Sequence, residues 1–185
     1  MDKKFVLKLV REAVDTYAKT KKIIPIPKEY PSELNSKRGV FVTIHKMINN
    51  CKQLRGCIGL PYPDKPLIKG LIEAAVSACD DSRFLPLKPE ELKHIKIEVS
   101  VLTDPEFIDV KSSKDYVKKI KIGRDGLMLS KGIMSGLFLP QVPVEQKWDL
   151  NEYLENLCLK AGLMPNAWTN LSAKIYKFQA EIFEE

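Results

Sequence analysis

The segment HIKIEVSVL, residues 94–102, puts Ile95, Ile97, Val99 and Val101 on one side of an extended chain and Lys96, Glu98 and Ser100 on the other. A period of two is the side-chain spacing of a β-strand, so this segment is a strand with one apolar and one polar face. Elsewhere the period switches to that of a helix. Val6, Leu9, Val10, Ala13, Val14 and Tyr17 recur every three or four residues and predict a helix over 3–20. Leu67, Leu71, Ile72, Ala75 and Cys79 define a second helical face behind Pro66. DLNEYLENLCLKAG supplies Asp149 as N-cap, Glu152 three residues later, an apolar face of Leu150, Tyr153, Leu154, Leu157, Cys158 and Ala161, and Gly162 as terminator.

The remaining segments read as strands and turns. GVFVTI (39–44) and LRGCIG (54–59), separated by the polar HKMINNCKQ, predict a β-hairpin. VKKIKIGRDGLMLSKGIMSGLFLPQV reads as short strands broken at RDG and near Lys131-Gly132. KIYKFQAEIF is a closing strand with Tyr176, Phe178, Ala180 and Ile182 on one face. Pro25, Pro27 and Pro31 favour an extended connector, and Pro89 with Glu90 and Glu91 starts a short helix. Helix, hairpin, helix, strand, meander, helix, strand lacks the regular βα alternation of a doubly wound fold. The order predicts an α+β chain with a mainly antiparallel sheet and flanking helices.

Composition narrows the class of partner. A length of 185 residues makes one domain the default. The formal charge of +6 permits attraction to nucleic acid, but the lysines are scattered among acids without a basic run, which favours a solvated surface. No apolar run approaches the ~20 residues of a membrane span, so a cytoplasmic chain without membrane attachment is expected. Four cysteines without an export signal predict reduced thiols. Cys51 and Cys57 are not spaced as a C-x-x-C pair and the two histidines are His45 and His94, so no metal or other cofactor is expected.

LRGCIG carries the sharpest chemical signal. As a regular strand it projects Arg55, Cys57 and Gly59 to one face, with Arg55 and Cys57 about 7 Å apart. A guanidinium at that range favours the thiolate. Gly59 would leave room beside the thiol, and Gly56 would let another element pack tightly behind. The competing reading is that Cys57 is core filler, as Cys79 and Cys158 are on their helices, while Cys51 sits in a turn. A cysteine nucleophile needs a base, for which His45 and His94 are the candidates; without a histidine, Glu98 and Ser100 on the polar face of their strand are the pocket partners. In DDSRFLPL, Phe84 and Pro86 could hold Arg83 in place, or Asp81 and Arg83 could form a loop clamp. LPQVPVEQKW, with Gln141, Glu145, Gln146 and Trp148, either lines a cleft or crosses over with Trp148 in the core.

From Arg38 onward, RGVFVTI, LRGCIG, AAVSACDDSRFLPL, IEVSVL, GRDGL, SGLFLPQVPVEQ, LCLKAGL and KFQAEIFEE occur in an order that resembles the AMMECR domain family. The family is named for a deleted human chromosomal region linked to Alport syndrome and elliptocytosis. The resemblance implies a single free-standing prokaryotic domain over 1–185, with a larger and a smaller lobe and a cleft near LRGCIG. The lobe boundaries are not legible. It implies no particular reaction. It does imply a pathway shared with MEMO-like and radical SAM proteins, and proposed roles in transcription, replication, repair or translation. By position, the signature falls on Leu54, Arg55, Gly56, Cys57, Ile58 and Gly59, supported by Asp81, Arg83, Phe84, Glu98, Ser100, Gln141, Glu145 and Trp148. On this reading Cys57 is a nucleophile or ligand-contacting thiol, and Arg55 binds an anionic group of a small ligand. Glu98 or Glu145 handles protons, and Gly56, Gly59, Asp81, Arg83, Ser100, Gln141 and Trp148 complete the binding wall. The alternatives are a non-catalytic module that docks a protein partner and a weak nucleic-acid binder.

Overall fold

Helix α1 (Lys3–Thr20) starts where the Asp2 carboxylate accepts the Phe5 N–H at 3.1 Å. It stops at Lys21, whose left-handed backbone (φ 58°) turns its N–H onto the Tyr17 carbonyl. Its buried face is the predicted apolar stripe with Ala18 in place of half-buried Tyr17: Val6, Leu9, Val10, Ala13, Val14 and Ala18. The computed structural model describes residues 1–49, 51–62 and 64–185, which divide into two compact units, Met1–Leu102 with Glu181–Glu185, and Thr103–Ala180.

In the first unit, β1 (Val40–Ile48) and β2 (Cys51–Leu60) form the predicted antiparallel hairpin with longer arms than the sequence suggested. Lys46, Met47 and Ile48 pair with Gln53, Lys52 and Cys51, so most of HKMINNCKQ is ladder rather than turn. Asn49 takes the left-handed conformation the turn requires, and Asn50 lies outside the described residues. Helix α2 (Leu67–Cys79) follows, then the short helix expected from Pro89, Glu90 and Glu91, which is of 3₁₀ type (Pro89–His94), then β3 (Ile95–Leu102). Val40, Val42 and Ile44 of β1 and Ile97, Val99 and Val101 of β3 pack against α1 and α2 in one core.

The second unit holds β4 (Glu106–Phe107), α3 (Tyr116–Lys119), β5 (Gly126–Lys131), β6 (Met134–Phe138), α4 (Val142–Glu145), α5 (Leu150–Lys160) and β7 (Lys174–Phe178). VKKIKI, expected as strand, is instead the end of the short helix α3 and a loop. The sheet order is β4-β7-β5-β6, and Tyr153, Leu154, Leu157 and Cys158 of α5 are buried with Leu127, Leu129 and Ile175. Asp149 and Glu152 form the predicted capping box, each side chain 2.9 Å from the other's backbone N–H. Asp149→Ala is expected to cost about 1 kcal/mol, read as a shift in the urea midpoint at constant slope.

KIYKFQAEIF is not one strand. It divides at Gln179 into β7 and β8 (Ala180–Glu184), and β8 joins the first unit's sheet in the order β2-β1-β3-β8. Of the face expected from alternation only Phe178 is buried: Ile175 rather than Tyr176 enters the core from β7, and in β8 Phe183 is buried while Ile182 is 48% exposed. Every ladder described between paired strands is antiparallel. The α+β class with antiparallel sheets and flanking helices therefore holds. Among the described residues no helix is long and apolar enough to cross a membrane.

Candidate functional site

Strand β2 is an edge of its sheet, and an edge strand leaves backbone N–H and C=O groups without a ladder partner. At Cys57 a single loop supplies both missing partners. Asp81 Oδ2 accepts the Cys57 N–H at 2.8 Å, and Arg83 Nη2 donates to the Cys57 carbonyl at 3.2 Å. The two loop side chains are joined to each other, with Arg83 Nε 3.0 Å from Asp81 Oδ1 and Nη2 2.6 Å from Oδ2. Asp81 is 4% exposed. Its hydrogen bonds from Arg83 hold the carboxyl well below the usual carboxylate range, against the opposing effect of burial and with help from the Cys57 N–H. The clamp therefore imitates one residue of a neighbouring strand.

Gly56 explains how this loop comes so close. A Cβ built there would lie 2.1 Å from the Ala78 carbonyl oxygen in the last turn of α2, and only a glycine admits that approach. Asp80, Asp81 and Arg83 follow directly from the end of α2, so the close crossing delivers the clamp to the strand edge.

Arg55 does not share the face of Cys57 in the way regular alternation predicts. Ile44 pairs with Gly56 but His45 pairs with Leu54, which leaves Arg55 as the extra residue of a β-bulge. Its guanidinium is bound to Glu91 in the 3₁₀ turn, Nε to Oε1 at 2.9 Å and Nη2 to Oε2 at 2.8 Å, and reaches the Pro86 carbonyl at 3.4 Å. Both side chains are largely buried, and the bond from Arg55 draws the Glu91 carboxyl down to about 2 although burial opposes the shift. The PEEL segment was legible only as a helix start, so nothing in the sequence marked Glu91 as the partner.

Cys57 faces a different set of groups. Its Sγ accepts a hydrogen bond from Thr43 Oγ1 at 3.3 Å. Thr43 alternates with buried Val42 and Ile44, which places it on the sheet face opposite α1 and α2. Register aligns Cys57, Thr43 and Glu98 in one cross-strand row. His45 is the next outward residue of β1, with Nε2 3.5 Å from Glu98 Oε2, an electrostatic contact at the outer limit of hydrogen bonding. His45 first, then Lys52, lowers the Glu98 pKa despite desolvation. The adjacent row is Gly59, Phe41 and buried Ser100. The room expected beside the thiol from Gly59 is taken by the Phe41 ring, 2.1 Å from where a Cβ would sit. Thr43 is the residue sequence reading missed here, because its role depends on register.

Gln141, Glu145 and Trp148 belong to the second unit. Glu145 is exposed at the end of α4, Gln141 Oε1 is a buried oxygen without a hydrogen-bond partner, and Trp148 packs edge-on against Phe138 at 5.3 Å between centroids. Cys51 is exposed, while Cys79 and Cys158 are buried, and burial pushes the Cys79 thiol up to about 12. Among the described residues no group of three or more His, Cys, Asp or Glu side chains is arranged to hold a metal ion.

The sequence model of the AMMECR1 family matches residues 7–183. Protein MJ0810 of Methanocaldococcus jannaschii is 51% identical over 182 residues, covering 98% of this chain and 89% of that protein. Protein PYRAB00100 of Pyrococcus abyssi is 52% identical over 183 residues with the same coverage. Among solved structures, the crystal structure of uncharacterized protein PH0010 from Pyrococcus horikoshii matches with a TM-score of 0.88 at 50% identity, covering 98% of this chain and 90% of that one.

Proposed function

The chain belongs to the AMMECR1 family, and from that premise we propose that its working group is the Cys57 thiol, on a part-buried sheet face that binds and modifies a small anionic ligand. The observation that carries this reading is the grouping of Cys57, Thr43, Glu98 and His45 on one face of three adjacent strands. A row of this kind is more than packing requires, because Val, Leu or Phe would fill the same pleat without polar desolvation. Thr43 holds the sulfur in one orientation, and the Glu98–His45 pair is the group that receives and returns a proton. Cys57 Sγ is the nucleophile: as it bonds to an electrophilic carbon of the ligand, the bond from that carbon to its leaving group breaks, and the thiol proton taken up by the Glu98–His45 pair is returned to that leaving group. Anion recognition falls to Arg83, which is 56% exposed and bound to the Cys57 carbonyl, since Arg55 is already committed to Glu91. The non-catalytic alternative draws support from the same clamp, which fixes the Cys57 backbone whether or not the sulfur reacts.

Alkylation of the four thiols in the native protein, read by peptide mass spectrometry, separates the two. Exposed Cys51 serves as the reference, and buried Cys79 and Cys158 are expected to stay protected until unfolding. On the thiol reading Cys57 reacts in the folded state, and its rate changes in Thr43→Val and Glu98→Gln. Cys57→Ser is expected to keep stability within about 1 kcal/mol while abolishing turnover of any ligand found by thermal-shift screening of small anions. Protection of Cys57 equal to that of Cys79 would assign LRGCIG to architecture.

A further inference from the structure

Leu85 is 77% exposed, yet the backbone on both sides of it is pinned. Phe84 N–H bonds the Asp81 carbonyl at 2.9 Å, Leu87 N–H bonds the Cys79 carbonyl at 2.8 Å, and Arg55 holds the Pro86 carbonyl. A large aliphatic side chain held in water by a fixed loop loses little conformational freedom on being covered, which is the property of an interaction anchor. Beside it lies a hollow of about 320 Å³ lined by Arg55, Phe84, Leu85, Pro86, Lys88 and Glu91.

Charge around the hollow is sorted by depth. The carboxylates of Asp81 and Glu91 are 3% and 17% exposed, whereas Arg83 is 56% exposed, Lys46 40%, and Lys88 also faces solvent. Exposed Glu90 offsets part of this, and the Arg55–Glu91 pair is largely buried on both sides, but the clamp turns its cation outward, and Lys46 and Lys88 add to it. Two guanidiniums, those of Arg55 and Arg83, lie 5.9 and 5.7 Å from the centre of the Phe84 ring, so a nucleotide base stacking there would compete with cations, whereas an apolar side chain can still reach the part of the ring that lines the hollow.

We infer that the Arg83–Lys88 loop is a docking surface for a partner protein, and that it takes a segment in which one aliphatic or aromatic side chain is flanked by carboxylates. The apolar side chain enters the hollow against Phe84 and Pro86, Leu85 is covered, and the carboxylates meet Arg83 and Lys88. This inference shares Arg83 with the thiol reading but does not rest on it: Phe84, Leu85, Pro86 and Lys88 belong to the loop face alone, and it survives if Cys57 is inert.

Display of random 12-residue peptides against the immobilised full chain tests it. The expected result is a consensus of an apolar residue between Asp or Glu residues, and a synthetic consensus peptide whose affinity falls with added salt. Leu85→Ser is expected to weaken that peptide at least about tenfold with an unchanged melting temperature, and Lys88→Glu to weaken it and flatten the salt dependence. Failure to recover a consensus, or equal binding to Leu85→Ser, would overturn the inference. So would Leu85-dependent binding of a 12-nucleotide oligothymidylate, which would assign the surface to nucleic acid.

Discussion

Gly56→Ala is expected to destabilise the protein by about 3 kcal/mol, lowering the melting temperature by about 6–12 °C for a chain of this size. The methyl group would be placed 2.1 Å from the Ala78 carbonyl oxygen and 3.2 Å from its carbon, and these are backbone atoms of a packed helix. A flexible side chain could swing aside at little cost; the end of α2 cannot. Relief requires either the helix terminus or the edge strand to move, and either movement separates Asp81 from the Cys57 N–H. The same variant should therefore speed amide exchange at Cys57 more than at Val42, on the neighbouring strand of that sheet. Stability within about 0.5 kcal/mol of the parent would mean that the close crossing is not a constraint.

Asp81→Asn is expected to cost about 2 kcal/mol at neutral pH, less than a wholly buried pair because Arg83 is more than half exposed and screened by water. The amide still accepts one hydrogen bond but presents no charge to the guanidinium. The pH dependence has a definite sign. The folded-state pKa of Asp81 lies below its unfolded value, so its contribution is fully present above the ordinary carboxylate pKa of about 3.9 and is lost as pH falls through the folded value. The gap between parent and variant should narrow from pH 7 to pH 3 in denaturant titrations. A gap that stays constant or widens on acidification would remove the clamp from the stability argument.

What could be read from the sequence, and what could not, follows from the range of the interactions involved. The three long helices were legible because 3.6-residue periodicity and the Asp149 and Glu152 cap are written locally. Strand β3 was legible for the same reason. The bulge at Arg55 was not, because an inserted residue is defined by its partner strand and leaves LRGCIG looking like regular alternation. That single residue separates Arg55 from Cys57 and sends it to Glu91. The division at Gln179 was also hidden, since KIYKFQAEIF keeps a period of two through the point where the chain passes from one sheet to the other. Among the candidate site residues, the Asp81–Arg83 pairing was available from DDSRF, whereas its engagement with the Cys57 backbone needed the Gly56–Ala78 crossing to bring the loop to the strand.

The placement of β8 bears on how the protein is made. Residues leave the ribosome in chain order, and β8 follows the whole of Thr103–Ala180 although its sheet neighbour is β3. The second unit can thus complete its sequence while the first still lacks a strand. During that interval β3 presents a bare edge, and Arg11 and Arg38 lack the carboxylates of Glu185 and Glu181 that they bind in the finished protein. Closure of the first sheet waits on residues made after the second unit, so truncation at Ala180 during synthesis would strand the unit that was begun first.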